Sequence, residues 1–546
     1  MQIVYKHGNL DVNFIGGNQW SRTDKLINEV HYYLVGDIYS FNGKHVSNSE
    51  FLELCYNRDN EDFFRLVDGY YILFEIKKGK VKVISDRYAL LPLYYYSCAD
   101  IMICSTDFYS LTNTLKSENL DLTLNNSAIK FYLSHNSFPY DHTLYTDVKR
   151  INPSSIIEIN QLGEVSKRCY WSWRLIEKKT INFDEAIDKL HTLLQSSMQK
   201  RFSPRDKVSV TLSGGLDSRL LLALADEMDL EIECFTFGTI ESPDVVIAKK
   251  CCEKLNVRHK VIEINERNWF LDREDAVIRT GGMANILHLH AVHPSKEIVK
   301  HSNVVLNGFL GDLVLGGGYL KKDLFLNINS YLKTLKGKYG DDLSLININD
   351  EYYNENITDS YFIHNRGVRF TSLGSDAVSD KINNVKPFLD NELLEFVYSL
   401  PDEYRFNGKL YHAMLLKYYP DLFLDIEWQK TGTPISLSDS KFINIYHQLF
   451  KVGVSIVSNS KFNKIARKIY SIAKPKKVDK MKSFVDYKSW VSSDFFQSYK
   501  KELLCGEVSY LQNHVDIENI IDDENKLQEL GCLISLEYFL KKVESC

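Results

Sequence analysis

Long apolar runs are absent from this 546-residue sequence, and so are cysteine motifs of the C-x-x-C type that mark zinc and redox proteins. No stretch approaches the roughly 18 consecutive apolar residues that cross a bilayer, so we expect no membrane span. The N-terminal segment has no apolar run suited to a signal peptide. The ten cysteines are scattered, which is typical of reduced thiols, and the sequence therefore predicts a cytoplasmic protein.

The sequence also lacks a strong excess of either charge, since 66 basic and 72 acidic residues leave a net charge of -6. A chain with this balance lacks the positive field of a nucleic-acid-binding protein, so we expect no nucleic-acid partner. Residues 461–482 carry a local basic excess, which could dock an acidic leader peptide, an anionic carrier or a membrane surface, although a solvated face is the simpler interpretation. The length exceeds the roughly 250–300 residues of a single core and predicts two or three domains.

Two different strand patterns divide the chain. Up to about residue 175, short apolar runs such as HYYLVGDIYSF, GYYILFEI and KVKVISD alternate with polar breaks, and this predicts a domain of two stacked sheets. After YWSW at 170–173, strands alternate with helices, which predicts a parallel sheet with crossover helices. From about residue 320 the pattern is mainly helical. We therefore predict a mixed α/β and α+β protein with domains at 1–175 and 176–546.

The strongest chemical signal is the sequence SGGLDS at 213–218, between an apolar strand and a helix. Glycines let a phosphate approach the backbone, and a helix N-terminus supplies free N–H groups with a positive dipole end. Ser213 and Ser218 add hydroxyl donors, whereas Asp217 repels phosphate and suits a Mg²⁺ ion that bridges phosphate oxygens. Arg219 could clamp a phosphate or a carboxylate. The Walker pattern is absent, and an ordinary capped glycine turn is the alternative to a nucleotide-binding loop.

This loop resembles the PP-loop of the ATP pyrophosphatases, and its surroundings resemble the asparagine synthetase family, which includes β-lactam synthetases and lasso-peptide cyclases. In the N-terminal half, LVGDIYSFNG, LVDGYYILFE, SDRYALLPLYYY and YTDVKRINPSSIIEI are similar to the family's amidotransferase-type domain. Beyond the loop, TFGTIESPD, NVVLNGFLGDLVLGGGY, KPFLDNELLEFVYSLP and WQKTGTP are similar to the synthetase motifs and appear in the same order.

The resemblance implies an Ntn-hydrolase-like β-sandwich at 1–175, a degenerate glutamine amidotransferase-like domain, followed by a PP-loop synthetase domain at 176–546. It implies ATP and Mg²⁺ as cofactors, with Asp217 and Asp312 as metal ligands and Lys430 as the catalytic residue near the reacting carboxylate and the α-phosphate. The residues that it implies in ATP binding are Leu212, Ser213, Gly214, Gly215, Leu216, Asp217, Ser218, Phe237, Asn307 and Gly308.

The N-terminal half departs from the family pattern at the positions that hydrolyse glutamine. A working glutaminase has a cysteine directly after the initiator methionine, and here Gln2 stands there, whose side chain is no nucleophile. Val35 replaces the oxyanion-hole asparagine of the family, and the nearest cysteine, Cys55, lies well inside the domain. We therefore expect that glutamine hydrolysis is lost and that the nitrogen comes from ammonia or from a substrate amine.

The synthetase half departs from the pattern as well. Phe309 stands where family members have glutamate or tyrosine, and Asn383 stands where they often have glutamate, so no familiar general base is visible. His288, His290 and His293 have a spacing that could ligate zinc. Their apolar neighbours instead favour a part-buried element near the substrate pocket.

The sequence therefore predicts ATP-dependent, AMP-forming amide synthesis through an acyl-adenylate. Three small-molecule or peptide carboxylates remain open as substrates: a β-lactam or macrolactam precursor, a sugar acid of a surface polysaccharide, and aspartate. The alternative is a non-catalytic, nucleotide-binding regulator, which the missing cysteine, Phe309 and Asn383 motivate. The oligomeric state is open, with a homodimer as one option.

Overall fold

The computed structural model describes most of the chain, in the ranges 1–6, 9–13, 20–78, 80–98, 101–160, 164–203, 206–318, 320, 335–378, 382–437, 484–505, 509–521 and 523–545. The basic segment 461–482 lies outside the described residues. Within those ranges, no helix is long and apolar enough to cross a bilayer.

Two antiparallel sheets form the N-terminal half, as the strand pattern predicts. The first sheet has the order β2-β1-β8-β7-β9 and the second has the order β11-β10-β6-β5-β4-β3. Their strands are β1 (Gln2–Lys6), β2 (Asn9–Asn13), β3 (Arg22–Ile27), β4 (Val30–Phe41), β5 (Val67–Lys77), β6 (Lys80–Ser85), β7 (Tyr94–Cys98), β8 (Ile101–Ser105), β9 (Val148–Arg150), β10 (Ser155–Ile159) and β11 (Val165–Cys169). The central β5 is buried over its first nine residues because the second sheet is covered on both faces there.

The described part of this half contains three α-helices, and each begins with a polar cap. They are α1 (Asn48–Tyr56), α2 (Phe108–Ser117) and α3 (Asn126–His135). The side chain of Ser47 caps α1 in a capping box with Glu50, and Asp107 and Asn125 cap the next two helices.

A five-stranded parallel sheet forms the second half, with the order β14-β13-β12-β15-β16. Its strands are β12 (Val208–Thr211), β13 (Ile232–Gly238), β14 (Arg258–Glu263), β15 (Val304–Leu306) and β16 (Asn383–Val385). The helices that precede, connect or follow them are α4 (Phe183–Gln199), α5 (Leu216–Glu227), α6 (Pro243–Leu255), α7 (Arg273–Arg279), α8 (Val292–Ile298) and α9 (Gly311–Val314). The mixed α/β and α+β class is thus confirmed, whereas the division at residue 175 stays a prediction.

The C-terminal part is helical and returns to the N-terminal half. A short α10 (Asp359–Phe362) leads into a π-helix (Ile363–Ser372), and the later helices are α11 (Leu373–Asp376), α12 (Asn391–Ser399), α13 (Asp402–Arg405), α14 (Lys409–Tyr418), α15 (Pro420–Phe423), α16 (Tyr487–Trp490), α17 (Asp494–Leu504), α18 (Ile517–Ile521) and α19 (Leu527–Glu544). The last helix packs against α2, α3 and α7, so it shares one apolar core with the first sheet.

Candidate functional site

The loop between β12 and α5, residues 212–215, is called here the SGG loop. Ser213 of the loop contacts Ser218 in the first turn of α5: the Ser213 backbone N–H donates to the Ser218 Oγ at 3.0 Å, and the two hydroxyl oxygens lie 3.0 Å apart. Gly215 is the N-cap residue of α5 and provides no side-chain acceptor for the first turn. The N-terminus of α5 therefore retains the unpaired N–H groups that bind anions. The side chains of Leu212 and Leu216 pack into the core beside the loop.

Asp217 and Asp312 lie side by side, although they are far apart in the sequence. The Asp217 carboxylate accepts hydrogen bonds from the Asp312 backbone N–H at 2.8 Å and from the Tyr411 hydroxyl at 3.0 Å. Burial raises the pKa of Asp217 to about 7, and the negative charge of Asp312 adds to the shift. Two neighbouring carboxylates with this mutual repulsion suit a bound divalent cation.

A buried carboxylate connects the SGG loop to the turn at 428–433. Asp244, in the first turn of α6, accepts a hydrogen bond from the Gly214 N–H at 2.8 Å through one oxygen. Its other oxygen accepts from the Gln429 side-chain amide at 2.7 Å. The Gln429 backbone N–H donates in turn to the Gly214 carbonyl at 3.2 Å. These contacts fix the position of the turn relative to the loop.

Arg219 lies beneath the loop and is fully buried. Its guanidinium donates to the carbonyls of Gly214 and Glu427 at 2.9 Å each and to three further carbonyls, those of Gly215, Leu422 and Ile426. Because all of these donors are directed at backbone oxygens, Arg219 is not available to a phosphate or a carboxylate. The expected clamp role is therefore wrong, and Arg219 instead joins the loop to the segment that leads to the 428–433 turn.

Lys430 occupies the exposed tip of that turn. Trp428 and Thr433 form an antiparallel bridge across the turn. Gly432 has a φ of 69°, the left-handed conformation that the turn requires and that glycine adopts without strain. The Lys430 Nζ lies 5.2 Å from the centre of the Trp428 ring. Gln429 thus connects the turn to the SGG loop, and the Lys430 ammonium group stays exposed beside the Trp428 ring.

A cavity of about 300 Å³ adjoins the carboxyl ends of β12, β13 and β15. Phe237 and Asn307, two of the predicted nucleotide-binding residues, line it. Gly308 follows Asn307, and a Cβ at Gly308 would lie 3.2 Å from the Asp217 Cβ. The cavity and the carboxylate pair are therefore adjacent parts of the same sheet edge.

The histidines at 288, 290 and 293 do not form a metal centre in the described part of the chain, where no group of three or more metal-ligating side chains occurs. His288 and His290 line the cavity instead. The His288 Nε2 lies 2.6 Å from the Gln528 Oε1. Burial lowers the pKa of His290 to about 3, so its ring is neutral at physiological pH.

The N-terminal half presents no nucleophile at the positions that the sequence singled out. The Gln2 side chain is directed at α2, where it donates to the Ser110 carbonyl at 3.3 Å and the Thr114 hydroxyl at 2.9 Å. Val35 is buried. Cys55 is buried too, and desolvation raises the pKa of its thiol well above the usual value, which suppresses the reactive thiolate.

Family comparisons agree with this arrangement. Residues 189–362 match the family described as asparagine synthase, and residues 30–171 match the glutamine amidotransferase domain. The two models match separate parts of the chain, one in each half. The chain is similar to the asparagine synthetase family.

The relatives that the chain matches are distant in sequence. One from Methanocaldococcus jannaschii, named putative asparagine synthetase (glutamine-hydrolyzing) 1, is 24% identical over 391 residues, covering 68% of this chain and 64% of the relative. Asparagine synthetase (glutamine-hydrolyzing) 1 of Bacillus subtilis is 24% identical over 42% of this chain and 36% of its own length. The microcin J25-processing protein McjC of Escherichia coli is 26% identical over 42% and 44%. The chain thus spans less than two thirds of the first two relatives.

Several residues of the candidate site escaped the sequence analysis. Asp244 and Gln429 meet across 185 residues, and Tyr411 reaches Asp217 across 194 residues. Asp244 lies in the motif TFGTIESPD and Gln429 lies in WQKTGTP, so the motifs drew attention to both segments. Neither motif indicates which side chains face each other.

Proposed function

We propose that the chain uses ATP to activate a carboxylate and then transfers the acyl group to an amine. A carboxylate oxygen attacks the α-phosphorus and pyrophosphate leaves; the amine nitrogen then attacks the acyl carbon, AMP leaves, and the nitrogen releases a proton. The observation that carries this proposal is the pair Asp217 and Asp312 beside the N-terminus of α5.

The SGG loop supports a role in binding the phosphate chain. The first turn of α5 offers N–H groups and a positive dipole end, and the hydroxyls of Ser213 and Ser218 lie at the same turn. A Cβ on Gly214 would meet the Gln429 side chain at 2.9 Å, so the loop and the 428–433 turn approach closely only with glycine there.

The carboxylates fit Mg²⁺. In the described part of the chain, the Asp217 carboxylate contacts a hydroxyl and a backbone N–H, neither of which neutralises its charge. Mg²⁺ would supply a positive charge that offsets the carboxylates and the phosphates of a bound nucleotide. Asp217 and Asp312 would hold it, and the raised pKa of Asp217 indicates that the site favours an added positive charge.

Lys430 supports the charge-neutralising step. Its ammonium group is open to solvent on a turn that is hydrogen-bonded to Gly214 through Gln429. An ammonium group there would stabilise the negative charge on the α-phosphate and on the tetrahedral intermediate.

The nitrogen donor in this proposal is ammonia or an amine on the substrate. Gln2, Val35 and the inert Cys55 support the loss of glutamine hydrolysis. The carboxylate is a β-lactam or macrolactam precursor, a sugar acid, or aspartate, and the relative named for microcin J25 processing supports the peptide option.

Pyrophosphate release tests the proposal. The protein is incubated with MgATP, ammonium and a panel of peptide, sugar-acid and amino-acid carboxylates, and mass spectrometry identifies the amide. We expect pyrophosphate and AMP in equal amounts with at least one carboxylate, and loss of both in Asp217→Asn. ATP binding without turnover on the whole panel would instead favour the second candidate, a nucleotide-binding regulator, which the buried Phe309 supports because it cannot accept a proton.

A further inference from the structure

A buried tyrosine connects the C-terminal helical part to the carboxylate pair. Tyr411 lies in α14 and is 2% exposed, with its ring in the main apolar core. Its hydroxyl donates to the Asp217 Oδ1 at 3.0 Å. Asp217 is only partly buried and Asp312 is exposed, so solvent reaches the pair while the tyrosine stays inside. Tyr411 therefore contacts the Asp217 carboxylate from the protein side and leaves the solvent side to a cation.

The Asp217 carboxylate is held at both of its oxygens by two separate elements. The Oδ2 accepts a hydrogen bond from the Asp312 backbone N–H, in the first turn of α9, at 2.8 Å. The Oδ1 accepts the bond from Tyr411, and Gly311 lies directly against the same group. One donor on each oxygen and a backbone atom beside them fix the position of the carboxylate and also its plane.

The turn that brings the Asp312 N–H to Asp217 is held in a strained conformation. Leu310 is the N-cap residue of α9 and has a φ of 66°, in the left-handed region that residues with a side chain rarely adopt. The Leu310 side chain packs against the main core. Because the strain lies directly before the carboxylate pair, the fold maintains this geometry at a cost, which is typical of a preorganised site.

Two hydrogen bonds from tyrosine to carboxylate join α14 to α5. Tyr411 contacts Asp217 in the first turn of α5, and Tyr419, the C-cap residue of α14, donates to the Oε2 of Glu227, the last residue of α5, at 2.6 Å. The two helices therefore lie side by side in the same direction. The bond at Tyr419 supports the same pair of helices but lies at the end away from the carboxylate pair.

We propose that Tyr411 is a positioning residue that makes the carboxylate pair selective for Mg²⁺ over Ca²⁺. The inference rests on the proposed function, since it needs a nucleotide-bound cation at Asp217 and Asp312. Mg²⁺ demands near-ideal octahedral geometry with ligands at about 2.0–2.1 Å, whereas Ca²⁺ accepts flexible geometry at about 2.3–2.6 Å. A carboxylate that is fixed in its plane meets the stricter requirement. Without the Tyr411 hydroxyl the carboxylate can rotate, which weakens the binding of Mg²⁺ more than that of Ca²⁺.

Calorimetric titration with ATP tests this inference without any knowledge of the carboxylate substrate. The full chain is titrated with ATP in excess Mg²⁺ and, separately, in excess Ca²⁺. Tyr411→Phe removes only the hydroxyl, and we expect it to lower the affinity for MgATP by about tenfold, the value of one hydrogen bond to a charged group. Its affinity for CaATP should fall by no more than about threefold. The matched control is Tyr419→Phe, which removes a hydroxyl from the other end of the same helix pair and should keep both wild-type affinities.

The outcomes separate this inference from the proposed function. Equal losses of MgATP and CaATP affinity in Tyr411→Phe would assign a general structural role to the tyrosine and overturn the inference, as would an equal loss of the Mg²⁺ preference in Tyr419→Phe. If wild type binds CaATP as tightly as MgATP, the inference is overturned without any variant, so a poorly folded Tyr411→Phe leaves it testable. If wild type binds ATP with neither cation, the proposed function is wrong and the inference falls with it.

Discussion

At the residue scale, the position of the Asp217 carboxylate depends on Gly311, which lies directly against it. A Cβ on Gly311 would lie 2.5 Å from the Asp217 Cγ and 2.8 Å from its Oδ1. Real side chains do not approach so closely, so any larger residue must displace the carboxylate. Position 311 therefore requires glycine because of the neighbouring Asp217 carboxylate and not because of its own backbone angles.

Gly311→Ala should weaken MgATP binding by about tenfold or more, because the displaced Asp217 no longer shares a cation with Asp312. Calorimetric titration with MgATP measures the effect. Gly337→Ala is the matched control, since a Cβ there meets none of the described atoms within 4 Å. Equal affinities in the two variants would contradict a shared cation.

Lys430→Met should lower the rate of pyrophosphate release by about a hundredfold, the usual effect of removing one preorganised charge from a transition state. The dissociation constant for MgATP should change little, because the SGG loop and the carboxylates remain. Lys249→Met removes another exposed ammonium group and serves as the control. A loss of affinity equal to the loss of rate would argue for a binding role instead.

At the scale of single elements, the sequence predicted the strands and loops better than the contacts between them. The SGGLDS motif and the strand before Asn307 indicated two carboxyl ends of a parallel sheet, and β12 and β15 are neighbours in that sheet. The pattern of strands and helices does not predict that Asp244 contacts Gln429 or that Arg219 points away from the loop opening. Both contacts depend on how segments distant in the sequence pack together.

Arg219 joins α5 to the segment before the 428–433 turn, and its loss should be costly. Arg219→Met leaves several buried carbonyls without donors, so we expect the free energy of unfolding to drop by about 2–4 kcal/mol. Urea denaturation measures it. Arg258→Met removes an exposed arginine from a surface ion pair with Glu231, and a change below about 1 kcal/mol is expected there. Similar losses in both variants would contradict the structural role of Arg219.

At the scale of the whole molecule, we propose that the N-terminal half serves as a scaffold for the second half and does not hydrolyse glutamine. We expect no glutamate from glutamine above the spontaneous background, with or without ATP, since the Gln2 side chain is no nucleophile and the Cys55 thiol is buried. An enzyme-coupled glutamate assay checks this and needs no carboxylate substrate. Glutamate formation that a Cys55→Ser variant abolishes would show that a displaced nucleophile had taken over.

The two halves are joined by a buried cation. The Arg201 guanidinium lies 3.1 Å from Asp68, in β5, and 3.0 Å from Asp390, the N-cap of α12. Burial raises the pKa of Asp68 to about 7, whereas the pKa of Asp390 is lowered. Burial itself works against that lowering, and Arg201 is the first of the charges that produce it. The Tyr70 hydroxyl also donates a hydrogen bond to the Lys386 carbonyl at 2.6 Å, directly after β16.

Arg201→Met should lower the free energy of unfolding by about 3–5 kcal/mol, because it removes the guanidinium from two buried carboxylates and leaves Asp390 with Lys200 alone. The loss should grow as the pH rises above about 7, because the folded wild type releases the Asp68 proton there, whereas the variant, whose Asp68 has a still higher pKa, keeps it. A carboxyl whose folded-state pKa is raised binds more protons folded than unfolded, so the stability of each protein decreases until the pH passes the folded-state pKa, and in the variant this decrease continues to a higher pH. Denaturation at several pH values measures this, with the exposed Arg267→Met as control. A destabilisation that is independent of pH would mean that the variant acts through packing and not through the charge of Asp68.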